Sequence, residues 1–299
     1  MLFSGILSQV SAHPGPVILT GHMHPDYDSA ASCLLMQHFL GELGVDATIC
    51  LYGQMDVHSA AVLEKYGYPP ASLFSQPPAD CLLILCDCHT TKLSGRVIAC
   101  ADHHPTVDVP DIPVYENRAA SSAGRVIYQA AAAYGLVPDR QADFLALSSV
   151  YMDTLSCASS KFQEGDRPWM RETAARHRFD LTTLQRDGLC LTDLSQDPET
   201  LCQNGFREYT FGKYRIASSY IQAENADPTL VQTLLDRCAA VCRADEYDIW
   251  IFLCYVPLKK ETDVYRYNRC GKAWSYVHHT VLLSRGNDVM PALERSLLQ

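Results

Sequence analysis

The sequence predicts an α/β protein: a mainly parallel sheet with helices on both faces, joined to a second, smaller α/β domain. Three observations carry that expectation. Short, continuous apolar runs alternate with longer helical patterns through the first half, as in a parallel sheet covered on both sides. Polar clusters fall just past the ends of those runs, at the sheet edge where open α/β folds bind ligands. The texture changes near residues 178–190, and 299 residues suit two cores better than one.

Taken in order, Pro16–Thr20 reads as the first strand and ends in the polar loop Gly21–Asp28. Ser29 is placed to cap a helix over 30–43, with Leu34, Leu35, Gln37, His38 and Phe39 at helical spacing and Gly44 as its stop. Ala47–Tyr52 is the next strand. Cys81–Cys86 is a buried strand that leaves Asp87 exposed at its end, and Val97–Ala101 is another that stops before Asp102. A helix capped by Ser121 or Ser122 runs to Tyr134, and a second covers Arg140–Met152. Later, Arg215–Gln222 and Ile249–Val256 read as strands around a helix over Thr229–Arg243, and Thr280–Leu283 as a last strand before a terminal helix. The expected domains are 1–180 and 190–299.

Composition narrows the functional classes. Lys and Arg number 24 against 34 Asp and Glu, a net charge of −10, which argues against holding duplex nucleic acid on a broad basic surface. No run of 18 apolar residues spans a membrane, and the first residues lack the charged and apolar regions of a secretion signal. Thirteen cysteines, odd in number and without CxxC spacing, fit reduced thiols in a cytoplasmic protein rather than a zinc ribbon or disulfide framework.

Four clusters carry chemistry. His22, Asp26 and Asp28 offer nitrogen and oxygen ligands in one loop stiffened by Pro25. Asp26 and Asp28, two apart in extended chain, can serve two different ions. Asp87 ends an apolar strand between Cys86 and Cys88. Asp102-His103-His104 follows another strand; adjacent histidines diverge, so one can bind metal while the other reaches substrate, with Asp102 fixing a tautomer. Asp153-Thr154 ends a helix, where an acid opposes the macrodipole unless something positive is near. Each cluster alone has an ordinary reading as a turn, a cap or a solvated loop. All four on one sheet edge do not.

Together, His22-x-x-Pro25-Asp26-x-Asp28-Ser29, Asp87, Asp102-His103-His104 and Asp153-Thr154 resemble the DHH phosphoesterase superfamily over about 15–175, and Ala120–Gly124 is similar to its serine-rich helix start. The resemblance implies two divalent ions, typically manganese, with magnesium or cobalt also used. His22 and Asp26 would bind one; Asp28, His103 and Asp153 the other; Asp87 would bridge them. Asp102 would orient a histidine and His104 would contact phosphate. The implied reaction is in-line attack of a metal-bridging hydroxide on phosphorus.

The second half is similar to the C-terminal domain of manganese-dependent inorganic pyrophosphatases and exopolyphosphatases. The similarity lies in Asp193–Ser195, Glu199–Leu201, Arg207–Gly212, Arg215–Ser218, Leu283–Arg285 and Val289–Leu293. The GGGHxxAAG-like segment of the nucleotide phosphodiesterase branch is absent. This implies a phosphoanhydride substrate, pyrophosphate or short polyphosphate, gripped by His104, Arg207 and Arg285. Two departures bear on specificity. Arg207 stands where that pattern has lysine, and Gly286, Asn287 and Asp288 follow Ser284-Arg285 in place of Lys-Lys-Gln. Losing two cations weakens the grip on pyrophosphate or changes the substrate; Lys161 and Arg167 are the candidates for compensating charge. By residue type alone Arg207 and Arg285 read as surface or paired arginines. Trp274 and Tyr276, beside Arg269 and Lys272, are a less favoured nucleobase platform. The alternatives are a phosphodiesterase or phosphatase acting on a small nucleotide or oligonucleotide, and a non-catalytic regulator that binds metal and phosphate. The expected partner is a small phosphate-containing substrate, and a homodimer is left open.

Overall fold

The structure, a computed structural model, describes residues 1–106, 111–225 and 227–298. They form two compact units, Met1–Gly188 and Leu189–Gln299.

The first unit runs α1 (Leu2–Ala12), β1 (Val17–Thr20), α2 (Tyr27–Glu42), β2 (Ala47–Ile49), α3 (Val57–Lys65), β3 (Leu82–Cys86), β4 (Arg96–Asp102), β5 (Val114–Asn117), α4 (Ala123–Tyr134), α5 (Arg140–Asp153), α6 (Arg167–His177) and α7 (Leu181–Gly188). Its five strands are all parallel, in the order β2-β1-β3-β4-β5, and are flanked by helices as expected. The chain leaves β1 toward opposite sides of the sheet, so β1 and β3 form the switch point whose carboxyl edge opens a crevice. Every residue of β3 is buried, each Leu or Ile stabilising the fold by about 1.5–3 kcal/mol. Val17, Leu19, Ile84 and Ala101 pack with the helical core, including Phe39 and Ile127. The other face, Ile18, Leu83, Leu85 and Cys100, packs with Cys50, Cys81 and Cys88, which act as small hydrophobes. None of the thirteen cysteines is joined in a disulfide among the described residues.

Several expected boundaries move. α2 starts at Tyr27, because Asp26 rather than Ser29 is the N-cap and accepts the Ser29 amide at 3.1 Å. Asp28 therefore lies in the first helical turn, not in extended chain. Asp102 is the last residue of β4, and Asp153 the last of α5. Ser122 caps α4, accepting the Arg125 amide at 3.0 Å, as one of the two expected serines.

The second unit runs α8 (Pro198–Cys202), β6 (Arg207–Phe211), β7 (Tyr214–Gln222), α9 (Pro228–Ala244), β8 (Ile249–Val256), β9 (Glu261–Asn268), β10 (Ala273–His279) and α10 (Met290–Leu298). Its sheet order is β10-β9-β8-β7-β6, parallel only between β7 and β8. Leu234, Leu235 and Cys238 of α9 join Trp250 and Phe252 in one core; Met290 and Leu293 of α10 join Ile251 and Leu253 in another. Thr280–Leu283 is not a strand. The Thr262 hydroxyl donates to the Val281 carbonyl at 2.9 Å and accepts the Leu283 amide at 3.0 Å, replacing ladder bonds there.

Candidate metal centre

The loop after β1 closes tightly onto α2. A Cβ on Gly21 would lie 2.8 Å from the Ser29 Cβ, so only glycine lets the chain pass before turning His22 and Asp26 toward the sheet edge. Asp28 is 2% exposed. Its Oδ2 accepts the Ala123 amide at 2.7 Å, and its Oδ1 accepts the Gly124 amide and the Ser32 hydroxyl, each at 3.1 Å. A carboxylate thus sits on the positive end of α4.

Asp87 is buried, at 2% exposure, contrary to its expected exposure at the strand end. It takes a left-handed φ of 63°, with its amide on the Ala101 carbonyl at 2.9 Å, and this turns the side chain inward. Its Oδ2 accepts from the Ser29 hydroxyl at 2.6 Å and lies 3.5 Å from His22 Nε2. Its Oδ1 lies 3.4 Å from His103 Nε2 and 3.6 Å from His104 Nδ1. His103 Nδ1 sits 3.0 Å from the Ala120 carbonyl, which fixes the N–H on that nitrogen and turns Nε2 toward Asp28 (3.7 Å), Asp87 and Asp153 (3.5 Å). Asp102 stays outside this convergence. Its Oδ1 accepts the His103 amide at 2.7 Å and faces His104 Nδ1 at 2.9 Å, while Oδ2 faces His89 Nδ1 at 3.0 Å.

Three sets of ligand atoms each lie within 4.8 Å of one another: His22, Asp26 and Asp87; Asp28, His103 and Asp153; Asp87, His103 and His104. Among the described residues, Asp87 Oδ1, His103 Nε2 and Asp153 Oδ2 are buried polar atoms with no hydrogen-bond partner. They face one another at 3.4–3.5 Å, beyond good hydrogen-bond length, so each keeps an uncompensated lone pair or proton. A divalent cation is the group such a carboxylate and imidazole set accommodates. Its ligand chemistry suits manganese or magnesium, and no thiolate is in it.

Electrostatics agree with a cation-seeking pocket. Partial burial alone would lower the His22 pKa, but the hydrogen bond and charge of Asp26, with the charge of Asp87, outweigh it and push it up to about 9. His103 is likewise pushed up to about 10 against burial by Asp87, Asp28 and Asp153. Burial, opposed by Lys161 and His103, holds the Asp153 carboxyl at about 6, and burial with the Asp87 and Asp153 charges raises Asp28 well above the carboxylate range. Asp26 goes the other way: against burial, the His22 hydrogen bond and charge hold it well below that range. Protonated imidazoles balance the carboxylates in this state.

Arg207 and Arg285 lie together in the second unit. Burial and the Arg207 charge lower the Arg285 pKa, and its guanidinium donates to the Gly205 carbonyl and lies 5.3 Å from the Tyr220 ring centre. Gly286 is exposed; the side chain of Asn287 lies outside the described residues. Trp274 packs against the second unit's core. His89, with no sequence signal of its own beside Cys86 and Cys88, joins the site through Asp102 Oδ2. Lys161, a candidate for compensating charge, has its ammonium 2.6 Å from Asp153 Oδ1.

Residues 16–155 match the model of the DHH family, N-terminal domain. A Streptococcus mutans protein, whose name assigns it to the manganese-dependent inorganic pyrophosphatases, is 25% identical over 170 residues, 54% of each chain. This chain thus spans about half the length of that curated relative. A Methanococcus jannaschii structure, whose name assigns it to the family II inorganic pyrophosphatases, superposes with a TM-score of 0.69 at 19% identity, over 94% of this chain and 99% of that one; this is a likeness of fold. In motif order and sheet-edge geometry, as in this match, residues 16–155 are similar to the DHH family, N-terminal domain.

Proposed function

We propose that the protein is a metal-dependent phosphohydrolase that cleaves a phosphoanhydride, pyrophosphate or short polyphosphate, with residues 1–180 as the metal-binding catalytic domain and 190–299 as a substrate-binding domain of the pyrophosphatase type. The observation that carries the reading is the convergence of three partnerless buried atoms, on Asp87, His103 and Asp153, inside a four-carboxylate pocket. The name of the Streptococcus mutans relative supports the substrate class.

His22 and Asp26 would hold one divalent cation and Asp28, His103 and Asp153 a second, with one oxygen of Asp87 toward each group. Such cations supply charge to a phosphoryl oxygen and acidify water. The protein's own groups do the rest. Ser29 and the α4 amides hold Asp87 and Asp28 in place, and the Ala120 carbonyl holds His103. Asp102 holds the N–H of His104 on Nδ1 and favours the protonated ring, whose Nε2–H is then the donor left for a phosphate oxygen, while Arg207 and Arg285 supply fixed positive charge.

The test is phosphate release by metal-stripped protein reconstituted with manganese, on pyrophosphate, tripolyphosphate and a dinucleotide series in parallel. Release from the anhydrides supports the reading. Mononucleotide from dinucleotides with pyrophosphate untouched replaces it with a phosphodiesterase, and tight manganese binding without turnover on any of them replaces it with a regulator.

A further inference from the structure

Directly after Asp153 the chain does something unusual for residues with side chains. Leu155, Ser156 and Cys157 take φ values of 48°, 55° and 68° in succession, each uphill for a non-glycine residue. The turn persists because it is held from several sides. The Cys157 amide donates to Thr154 Oγ1 at 3.0 Å, the Ser156 amide to the Tyr151 carbonyl at 2.8 Å, and the Ser159 amide to the Thr154 carbonyl at 2.9 Å. The result is a chain that doubles back on the end of α5 and lays the Lys161 ammonium 2.6 Å from Asp153 Oδ1.

That contact divides the carboxylate. Oδ1 is taken by Lys161, while Oδ2 has no hydrogen-bond partner and faces His103 Nε2. The Asp153 side chain is 8% exposed and that of Lys161 42%, so the lysine reaches from the buried centre to solvent. For metal capture alone a fixed cation here is a liability, since it repels the incoming ion and occupies a ligand atom. Its return lies in the charge sum. Two divalent cations would match the charge of Asp26, Asp28, Asp87 and Asp153, and Lys161 would then leave the centre net positive. An ammonium has three donors. Asp153 takes one, and among the described residues no other acceptor lies on it.

We propose that Lys161 is a substrate-binding residue whose ammonium holds a phosphoryl oxygen of the anionic substrate at the rim of the metal centre. The assignment rests on the phosphohydrolase reading above. The experiment is calorimetric titration of imidodiphosphate, the P–NH–P analogue of pyrophosphate, into manganese-loaded wild type, Lys161→Met, Lys161→Gln and Lys161→Arg, beside manganese titrations of the stripped proteins. Lys161→Met and Lys161→Gln should bind manganese at least as tightly as wild type yet lose roughly tenfold or more in imidodiphosphate affinity, the worth of a charge-assisted hydrogen bond, and Lys161→Arg should recover most of it. Imidodiphosphate binding equal to wild type in both neutral variants overturns the role of Lys161 alone. So does a parallel fall in manganese affinity, which would make the lysine a prop for the metal ligands. Wild type that takes up manganese but no imidodiphosphate overturns the phosphohydrolase reading and the Lys161 assignment together.

Discussion

The Ser29 hydroxyl donates to Asp87 Oδ2 across 2.6 Å, joining the first turn of α2 to the residue after β3. This bond selects which oxygen of Asp87 faces His22 and leaves Oδ1 for His103. Ser29→Ala should keep the fold and lower manganese affinity by about 10- to 100-fold, as loss of a hydrogen bond that orients a metal ligand does. Calorimetric titration of the stripped variant checks it; wild-type affinity would show that Asp87 is held by packing alone.

Asp87 belongs to two of the three candidate ligand sets. Asp87→Ala should abolish phosphate release and the thermal stabilisation by manganese. The metal-free variant should keep its fold, because the lost repulsion of Asp28 and Asp153 offsets the lost attraction to His22 and His103. Normal turnover in manganese-supplemented assays would remove Asp87 from the centre.

The pH dependence of the metal-free protein follows from the two histidines. Their folded pKa values, about 9 for His22 and about 10 for His103, lie above the ordinary 6.5, so the folded state binds the protons more tightly. The stability they contribute is full below pH 6.5 and is lost as pH rises through 9 and 10. Asp26 and Asp102 are held low, so what they contribute is lost only in acid, below the ordinary carboxylate pKa of 3.8. Melting in chelator should therefore fall from pH 6.5 to 10, and manganese should widen its margin over chelator across the same range. A flat chelator profile would contradict the charge balance described for the pocket.

Gly124 sets two effects against each other. Alanine in a helix gains up to about 1 kcal/mol over glycine. Here its Cβ would stand 2.3 Å from Ser149 Oγ and 3.0 Å from Ser149 Cβ, and the hydroxyl cannot swing aside without losing the Ser122 hydroxyl at 2.9 Å. Overpacking costs about 1–3 kcal/mol, so Gly124→Ala should be net destabilising and should weaken manganese binding through the Asp28 carboxylate that the Gly124 amide holds. Chemical denaturation and manganese titration of Gly124→Ala, with Ser149→Ala as partial rescue, measure both.

Much of this was legible because it rests on local pattern. The apolar run before Asp87, the Ser122 cap and the strand Ile249–Val256 are where residue type and spacing place them. What escaped was set by tertiary contact. Ser29 looks like a cap, yet its hydroxyl is used by Asp87 and Asp26 does the capping. Asp87 ends a strand and yet is buried, because a left-handed turn and two converging histidines cover it. β9 and β10, partly exposed and mixed in polarity, give no clean alternation. Lys161 follows Asp153 by eight residues, and only the left-handed return brings them together, a geometry that no periodicity announces.

The ligand groups are strung unevenly along the chain, and this orders their appearance during synthesis. The candidate set His22, Asp26 and Asp87 is complete in covalent terms once the residue after β3 has been made, whereas Asp28 and His103 wait for the last residue of α5. A nascent chain emerging from the ribosome would therefore offer one candidate ligand set early and the other only after the helical layer is translated. The α4 amides that hold Asp28 arrive between the two.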